Sequence, residues 1–337
     1  MPDCPAKLTA TPITNTDPKN IATAPAAVPV SIPSTPRAVL RVNIPFVPRE
    51  LPFIPGHSLV GDRAARECYL NALEREAAAV APEATGLRLG AIELVGPMPS
   101  MMSPDHIGRL TGLLQRLFSC EPGAPISIVA APHTIGVPAL TGWGQGGINR
   151  VELLADSLEP TELTMLGRPF DSGDVQNALL FLDKFHLNNV SVRIIYGIPG
   201  QNGPSLMRTL RSLAGVDVPH LTLVSFAELR RNSAASDEDI DATAESEASF
   251  ERELMAQARE RLSLYGYDEY LPGCFAIHER FRDQAALLRG AGCSEIGLGL
   301  DAISRFGDIA YRNTGDFATY AEAADDPSRT VVAVEAL

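Results

Sequence analysis

From Ala38 onward, short apolar runs alternate with longer stretches in which apolar residues recur every three or four positions. The first pattern predicts buried strands and the second predicts amphipathic helices. Strands are expected over 39–46, 87–95, 126–130, 150–155, 190–196 and 221–226. Helices are expected over 62–79, 172–185 and 205–214. Another should follow Ser103, which can cap it, with Pro104 at its first position and Asp105 in its first turn. That helix carries Ile107, Leu110, Leu113, Leu114 and Leu117 on one face. Alternation calls for a further helix over 136–147. Pro138, Gly142, Gly144, Gly146 and Gly147 argue instead for a loop or a broken helix there. Strands that alternate with helices predict an α/β fold with a parallel sheet.

The two ends read differently. Residues 1–36 are rich in Pro, Thr and Ala, carry no periodicity and lack the apolar core of a signal peptide. A disordered tail is expected. Residues 37–265 form the α/β unit, with an acidic Ser/Ala-rich loop over 232–247 leading into a helix that ends near Leu264. Residues 266–337 form a short C-terminal extension packing on that unit.

Charge and cysteine content narrow the function classes. The chain of 337 residues is 45% hydrophobic with net charge −13, and it has no Lys/Arg-rich run. Nucleic-acid binding rests on clustered cations and is not expected. No apolar run approaches the roughly 20 residues that span a bilayer, so no membrane partner is expected. Cys4, Cys68, Cys120, Cys274 and Cys293 are scattered, with no CxxC spacing. A reduced, cytoplasmic setting follows from that reading.

The stretch 39–57, VLRVNIPFVPRELPFIPGH, is a strand running into a loop. Its frame, Asn43-Ile44-Pro45-Phe46 and Pro52-Phe53, resembles the cluster loop of radical S-adenosylmethionine (SAM) enzymes of the oxygen-independent coproporphyrinogen III oxidase family. Further matches are Pro99-Ser100 with Ser103-Pro104, Asn149-Arg150, Leu166-Gly167-Arg168, Ile195 to Gln201, Gly297-Leu298-Gly299, Ala302-Ile303-Ser304 and Gly307-Asp308. The resemblance implies an incomplete six-strand TIM-like βα barrel, with a truncated C-terminal helical region. In that family three cysteines of the loop hold a [4Fe–4S] cluster. Here the three positions are Val47, Leu51 and Ile54, which have no lone pair for iron. The resemblance therefore implies a degenerate member without the cluster and without radical chemistry.

The family's SAM contacts carry over position by position. Its glycine-rich turn corresponds to Val95-Gly96-Pro97-Met98-Pro99, where Pro97 removes an N–H and fixes φ. Its polar contacts correspond to Arg41, Val129, Asp156 and Arg193, none of which keeps the family's residue. Arg168 keeps the family's arginine, and Phe53, Gly96, Ala227 and Ile303 keep apolar or backbone contacts. Shape is retained while hydrogen bonding is lost, so retained SAM binding is the less favoured outcome.

The substitutions gather charge at the mouth of the barrel. Because strand side chains alternate faces, Glu152 shares a face with Asp156, and Asn43 with Arg41. Arg41, Arg168 and Arg193 would then face Glu152 and Asp156, at the strand ends where βα barrels carry their sites. Two readings stay open. The charges pair and plug an abandoned pocket, or the arginines grip an anion while Asp156 or Glu152 acts as a base. On the second reading Asp156, Glu152 and Arg193 are the catalytic candidates. Arg41, Asn43, Phe53, Gly96, Arg168, Ala227 and Ile303 are the ligand-binding ones. No metal ligand set is expected, since the histidines show no HxH or HExxH spacing. His57 and His133 fall near the mouth, His186 and His220 are expected to be structural, and His106 solvated. Trp143 is expected in the core, with capping of the pocket as the alternative.

The functional expectation is a redox-neutral enzyme, performing an acid–base cyclisation or isomerisation on a small anionic metabolite, in a setting such as secondary metabolism. The alternatives are a non-catalytic partner of another enzyme or a tetrapyrrole-binding protein, and a cluster-free SAM-binding protein. Open barrel edges invite a homodimer or a second protein.

Overall fold

The structure is a computed structural model that describes residues 37–54, 58–232 and 244–336. The six expected strands are present as β1 (Arg37–Asn43), β2 (Arg88–Val95), β3 (Ile126–Ala130), β4 (Arg150–Asp156), β5 (Val190–Tyr196) and β6 (His220–Ser225). They lie side by side in that order and pair in parallel. The outer face is covered by α1 (Arg63–Val80), α2 (Pro104–Leu117), α3 (Val137–Gln145), the short α4 (Pro160–Met165), α5 (Ser172–Lys184) and α6 (Gly203–Ala214). α7 (Phe226–Arg231) follows β6, and α8 (Ala244–Leu264) packs on α6 and β5. The expected tail and most of the acidic 232–247 loop lie outside the described residues, as does His57.

The cap expected from the sequence is made. The Ser103 hydroxyl accepts the His106 N–H, and Pro104 opens α2. Asp62 caps α1 in the same way.

The 136–147 segment differs from its expectation: Val137–Gln145 is a continuous helix. Its glycines serve close packing on α2. A Cβ at Gly142 would sit 2.4 Å from the Pro104 Cβ, and one at Gly146 would sit 2.7 Å from the Thr111 hydroxyl. Contact with a neighbouring helix offsets the poor intrinsic propensity. Trp143 is fully buried in this layer, in the core.

The C-terminal residues do more than pack on the barrel; they extend the sheet at both sides. β7 (Asp268–Leu271) and β8 (Cys274–Ala276) form a hairpin whose second strand pairs antiparallel with β6. After α9 (Gln284–Gly290), β9 (Ser294–Leu298) pairs in parallel with β1. β10 (Ile303–Phe306), β11 (Ile309–Asn313) and β12 (Val331–Ala336) continue antiparallel from it, with α10 (Phe317–Ala323) and α11 (Pro327–Thr330) before the last strand. The sheet therefore has 12 strands and is open. Both edges of the six-strand unit are paired by this chain's own strands.

The two faces of the curved sheet differ in burial. Outward side chains such as Leu40, Val42, Ile92, Leu94, Ile128, Leu153, Val192, Ile194 and Leu221 are fully buried under the helices. On the concave face, Val39 and Ala91 pack against Ala285 and Leu288 of α9, which closes the bottom. Above them Arg41, Ser127, Glu152, Arg193 and Thr222 are only half-buried. This part of the concave face is polar and partly exposed, unlike the packed apolar interior common in βα barrels.

The cysteines depart in one respect from the expected reduced set. Cys120, Cys274 and Cys293 are free thiols, while Cys68 is disulfide-bonded.

Candidate functional site

At the mouth, Asp156 ends β4 in a left-handed conformation with φ +61. A register shift after Leu154 turns its side chain toward β5. Its Oδ2 accepts from Arg168 Nε at 2.5 Å, and its Oδ1 accepts from Arg193 Nε and Nη2 at 3.0 and 2.9 Å. Burial pushes the Asp156 carboxyl up, but the two guanidiniums outweigh it and hold the group below the usual carboxylate range. With both oxygens occupied, Asp156 is a poor proton acceptor and a good charge anchor.

Arg168 spends its remaining donors on backbone. Its Nη1 donates to the carbonyls of Pro52 and Leu166 at 3.1 and 3.0 Å, and its Nη2 to that of Phe53 at 3.4 Å. The loop that follows β1 is thus pinned to the Asp156 cluster. Phe53, at φ +53, sets its ring edge-on to Phe226 with 5.0 Å between centroids. Val47 and Ile54 of this loop are buried.

Other expected ligand contacts prove to be committed within the protein. Asn43 donates from Nδ2 to the Leu300 carbonyl at 2.5 Å. Gly96, at φ +122, lets the chain pass against β1, since a Cβ there would lie 2.3 Å from the Ile44 carbonyl oxygen. The Ala227 N–H donates to Glu251 Oε1 at 2.9 Å, and the Ser225 hydroxyl to Oε2 at 2.7 Å. Ile303 lies on β10, its backbone against Gly297.

Deeper in the lumen the pairing is incomplete. Glu93 on β2 pairs with Arg289, Glu295 on β9 with Arg305 at 3.3 Å, and Asp283 lies 4.0 Å from Arg150. Arg41 stands beside Glu93 in the β1–β2 register, and Glu152 beside Ser191 in the β4–β5 register. Among the described residues neither Arg41 nor Glu152 has a hydrogen-bonding or ion-pair partner, although each feels the other's field. Burial raises the Glu152 carboxyl above its ordinary range, against the pull of Arg193, Arg150 and Arg41 and with Asp283 adding to the rise. The expected mouth cluster therefore divides. Asp156, Arg168 and Arg193 meet, while Glu152 and Arg41 remain apart from them and from each other.

A hydrogen-bonded line that the sequence did not reveal runs along the same wall. The Ser191 hydroxyl lies 2.7 Å from His220 Nδ1 and 3.2 Å from the Thr222 hydroxyl, and His220 Nε2 lies 2.8 Å from the Tyr270 hydroxyl. The Tyr270 oxygen also accepts the Asp283 N–H at 2.8 Å. His220 and Ser191 alternate correctly for one face, but only the pairing of the β7–β8 hairpin with β6 brings Tyr270 to them. The other histidines lie elsewhere. His133 stacks on Phe170 at the end of β3, and His106 is half-buried against Glu67 at 2.8 Å rather than solvated.

The donor set does not fit an iron–sulfur cluster, because Val47, Leu51 and Ile54 offer no thiolate. No group of three or more His, Cys, Asp or Glu suited to a metal ion occurs among the described residues. Nor do the residues fit SAM as the resemblance would seat it. The Ala227 N–H and most of the Arg168 donors are already engaged.

No family model matches the chain. Over 303 residues it is 24% identical to the oxygen-independent coproporphyrinogen III oxidase of Escherichia coli K12, covering 85% of this chain and 65% of that protein. It is 24% identical over 160 residues to the heme chaperone HemW of Bacillus subtilis, covering 47% of this chain and 42% of that protein. The solved structure of coproporphyrinogen III oxidase (HemN) from E. coli superposes with a TM-score of 0.73, at 22% identity, over 90% of this chain and 72% of that one. The chain is a homologue of the HemN- and HemW-type radical SAM proteins. It spans under two thirds of the length of the E. coli oxidase. The open sheet is the partial barrel of that fold. Among the described residues no helix is long and apolar enough to cross a membrane.

Proposed function

We propose that this HemN-like chain holds no cluster and performs redox-neutral acid–base chemistry on a small anion bound in the lumen. The observation that carries the reading is the unmatched pair left by the charge network. Among the described residues Arg41 makes no ion pair, although its field reaches Glu93 and Glu152, and Glu152 is a carboxyl whose proton affinity is raised by burial. Among the described residues Arg193 Nη1 has no hydrogen-bond partner, since its bonds to Asp156 use Nε and Nη2. A guanidinium presents the fork suited to a carboxylate, and a carboxyl with raised proton affinity suits proton transfer near neutral pH. Asp156 and Arg168 act as supports that hold Arg193 and the Pro52-Phe53 loop in place. Native mass spectrometry of the protein as purified, with iron and acid-labile sulfide analysis on the same sample, tests the reading. A bound small acid without iron is expected; stoichiometric iron and sulfide would overturn it. With the ligand in hand, Glu152→Gln should abolish turnover and keep binding, whereas Arg41→Ala should weaken binding.

A second reading rests on the heme chaperone relative. On it, the chain binds a tetrapyrrole without transforming it, alone or with a partner protein. Titration with hemin, followed in the Soret band, separates the two: saturable one-to-one binding favours the second reading. Cluster-free SAM binding is the weakest of the three, because the polar contacts are gone, and equilibrium dialysis against SAM checks it.

A further inference from the structure

Resting on the lumen as the binding site, we propose that the Tyr270 hydroxyl is the donor that holds the ligand's second oxygen there. It is oriented by His220 and the Asp283 N–H to donate to an oxygen of the bound acid. The substrate class then narrows to an acid carrying a second oxygen, such as an oxo or hydroxy acid.

The argument follows the hydrogen-bonded line. His220 is almost fully buried, and burial together with Arg150 pushes its imidazole down to about 3, so the ring is neutral and carries one proton. That proton sits on either Nδ1 or Nε2. The Cys274 thiol is hydrogen-bonded to Tyr270, which takes the phenolic proton away from the ring. In the proposed arrangement Ser191 then donates to Nδ1 across 2.7 Å, and its own oxygen accepts from Thr222. The ring proton is left on Nε2, which donates to the Tyr270 oxygen at 2.8 Å. The Asp283 N–H donates to the same oxygen. With two donors directed at it, the Tyr270 oxygen has its lone pairs engaged and its own proton must point elsewhere. The remaining neighbour is Cys274, whose thiol senses both Tyr270 and Glu152 and pairs across from Thr222 on the lumen side. Sulfur is a weak acceptor, so a ligand oxygen readily takes its place. Donors lined up in one direction polarise each other and strengthen the terminal O–H. His220 is thus a positioning residue, and Tyr270 would touch the substrate. Burial holds the Tyr270 proton more tightly than in a free phenol, so Tyr270 keeps it and donates a hydrogen bond to the substrate oxygen, while Glu152 takes a proton from one carbon and returns it to a neighbouring atom, leaving the charge of the lumen unchanged.

Ring-¹⁵N histidine NMR tests the orientation without knowledge of the substrate. The chain has six histidines, and His220→Gln assigns the signal. A neutral Nε2–H ring between pH 5 and 8 is expected, moving to Nδ1–H in Tyr270→Phe. An Nδ1–H ring in the unaltered protein, or a ring that becomes cationic in this range, overturns the proposal, because the Tyr270 proton would then be committed to Nε2 or the line broken. A second arm measures the affinity of 2-oxoglutarate and of glutarate. Loss of the oxo group and Tyr270→Phe should each weaken binding about tenfold, and together no more than either alone. Equal effects on both ligands overturn the role of Tyr270. Failure of either acid to bind the unaltered protein while the tautomer stands as expected would count against the lumen reading itself.

Discussion

Glu76 offers the sharpest test of how this fold is held together. Its carboxyl lies on α1, buried, and accepts three hydrogen bonds from the C-terminal part of the chain. The Gly299 N–H and the Tyr320 hydroxyl reach Oε2 at 2.7 and 2.5 Å, and Asn313 Nδ2 reaches Oε1 at 2.5 Å. The same turn is tied to the end of β1, where Asn43 donates to the Leu300 carbonyl and Tyr69 bridges the Leu300 N–H and the Asn43 carbonyl. Burial raises the Glu76 carboxyl from 4.5 to about 7, with the three donors opposing the rise. The folded state therefore binds this proton more tightly than the unfolded chain. The stabilisation is fully present below about pH 4.5 and is lost as pH rises to about 7. At 1.36 kcal/mol per unit, the loss is about 3 kcal/mol. Glu76→Gln removes the titration, so its stability should fall less between pH 5 and pH 8 than that of the unaltered protein, by about 2 to 3 kcal/mol. Urea unfolding at both pH values, with the slope compared between variants, measures this difference. Glu93 and Glu152 also have raised proton affinities, but they are common to both proteins and cancel. Equal pH dependence in the two proteins, within about 0.5 kcal/mol, would refute the reasoning.

Asp156→Ala leaves the buried Arg168 and the partly buried Arg193 without their carboxylate and should cost about 3–5 kcal/mol in urea unfolding; a loss below about 1 kcal/mol would mean that the cluster is solvated rather than closed. Arg168→Ala should make the Pro52-Phe53 loop exchange its amides faster and yield earlier to limited proteolysis, since three backbone carbonyls lose their donor. In α3, Gly142→Ala meets Pro104 and should destabilise by about 1–3 kcal/mol, whereas Gly144→Ala has open space around it and should gain up to about 1 kcal/mol. Thermal melts of the pair separate packing from propensity.

The legible parts were those set by local rules. The strand over 126–130 and the strand over 190–196 match the observed elements residue for residue, because each is a run of branched apolar side chains between turn signals. The Ser103-Pro104 start was legible because capping involves residues three apart. The 136–147 segment was misread because its glycines answer to Pro104 and Thr111, more than 30 residues away. The same limit explains the site. Alternation put Glu152 and Asp156 on one face, but it could not tell that Asp156 would be consumed by two arginines while Glu152 would not.

Local patterning was enough for the order of strands and helices, their buried faces, the resemblance to the HemN fold, and the absence of thiolates at Val47, Leu51 and Ile54. These follow from side-chain chemistry and from spacing within one or two turns of chain. Folding had to settle which charges neutralise each other, that β8 and β9 cover the flanks of the six-strand unit, and that Tyr270 meets His220. Those outcomes depend on contacts between residues dozens to hundreds of positions apart. The energy of a buried charge or hydroxyl is set by the partners that reach it, and composition along the chain does not record them.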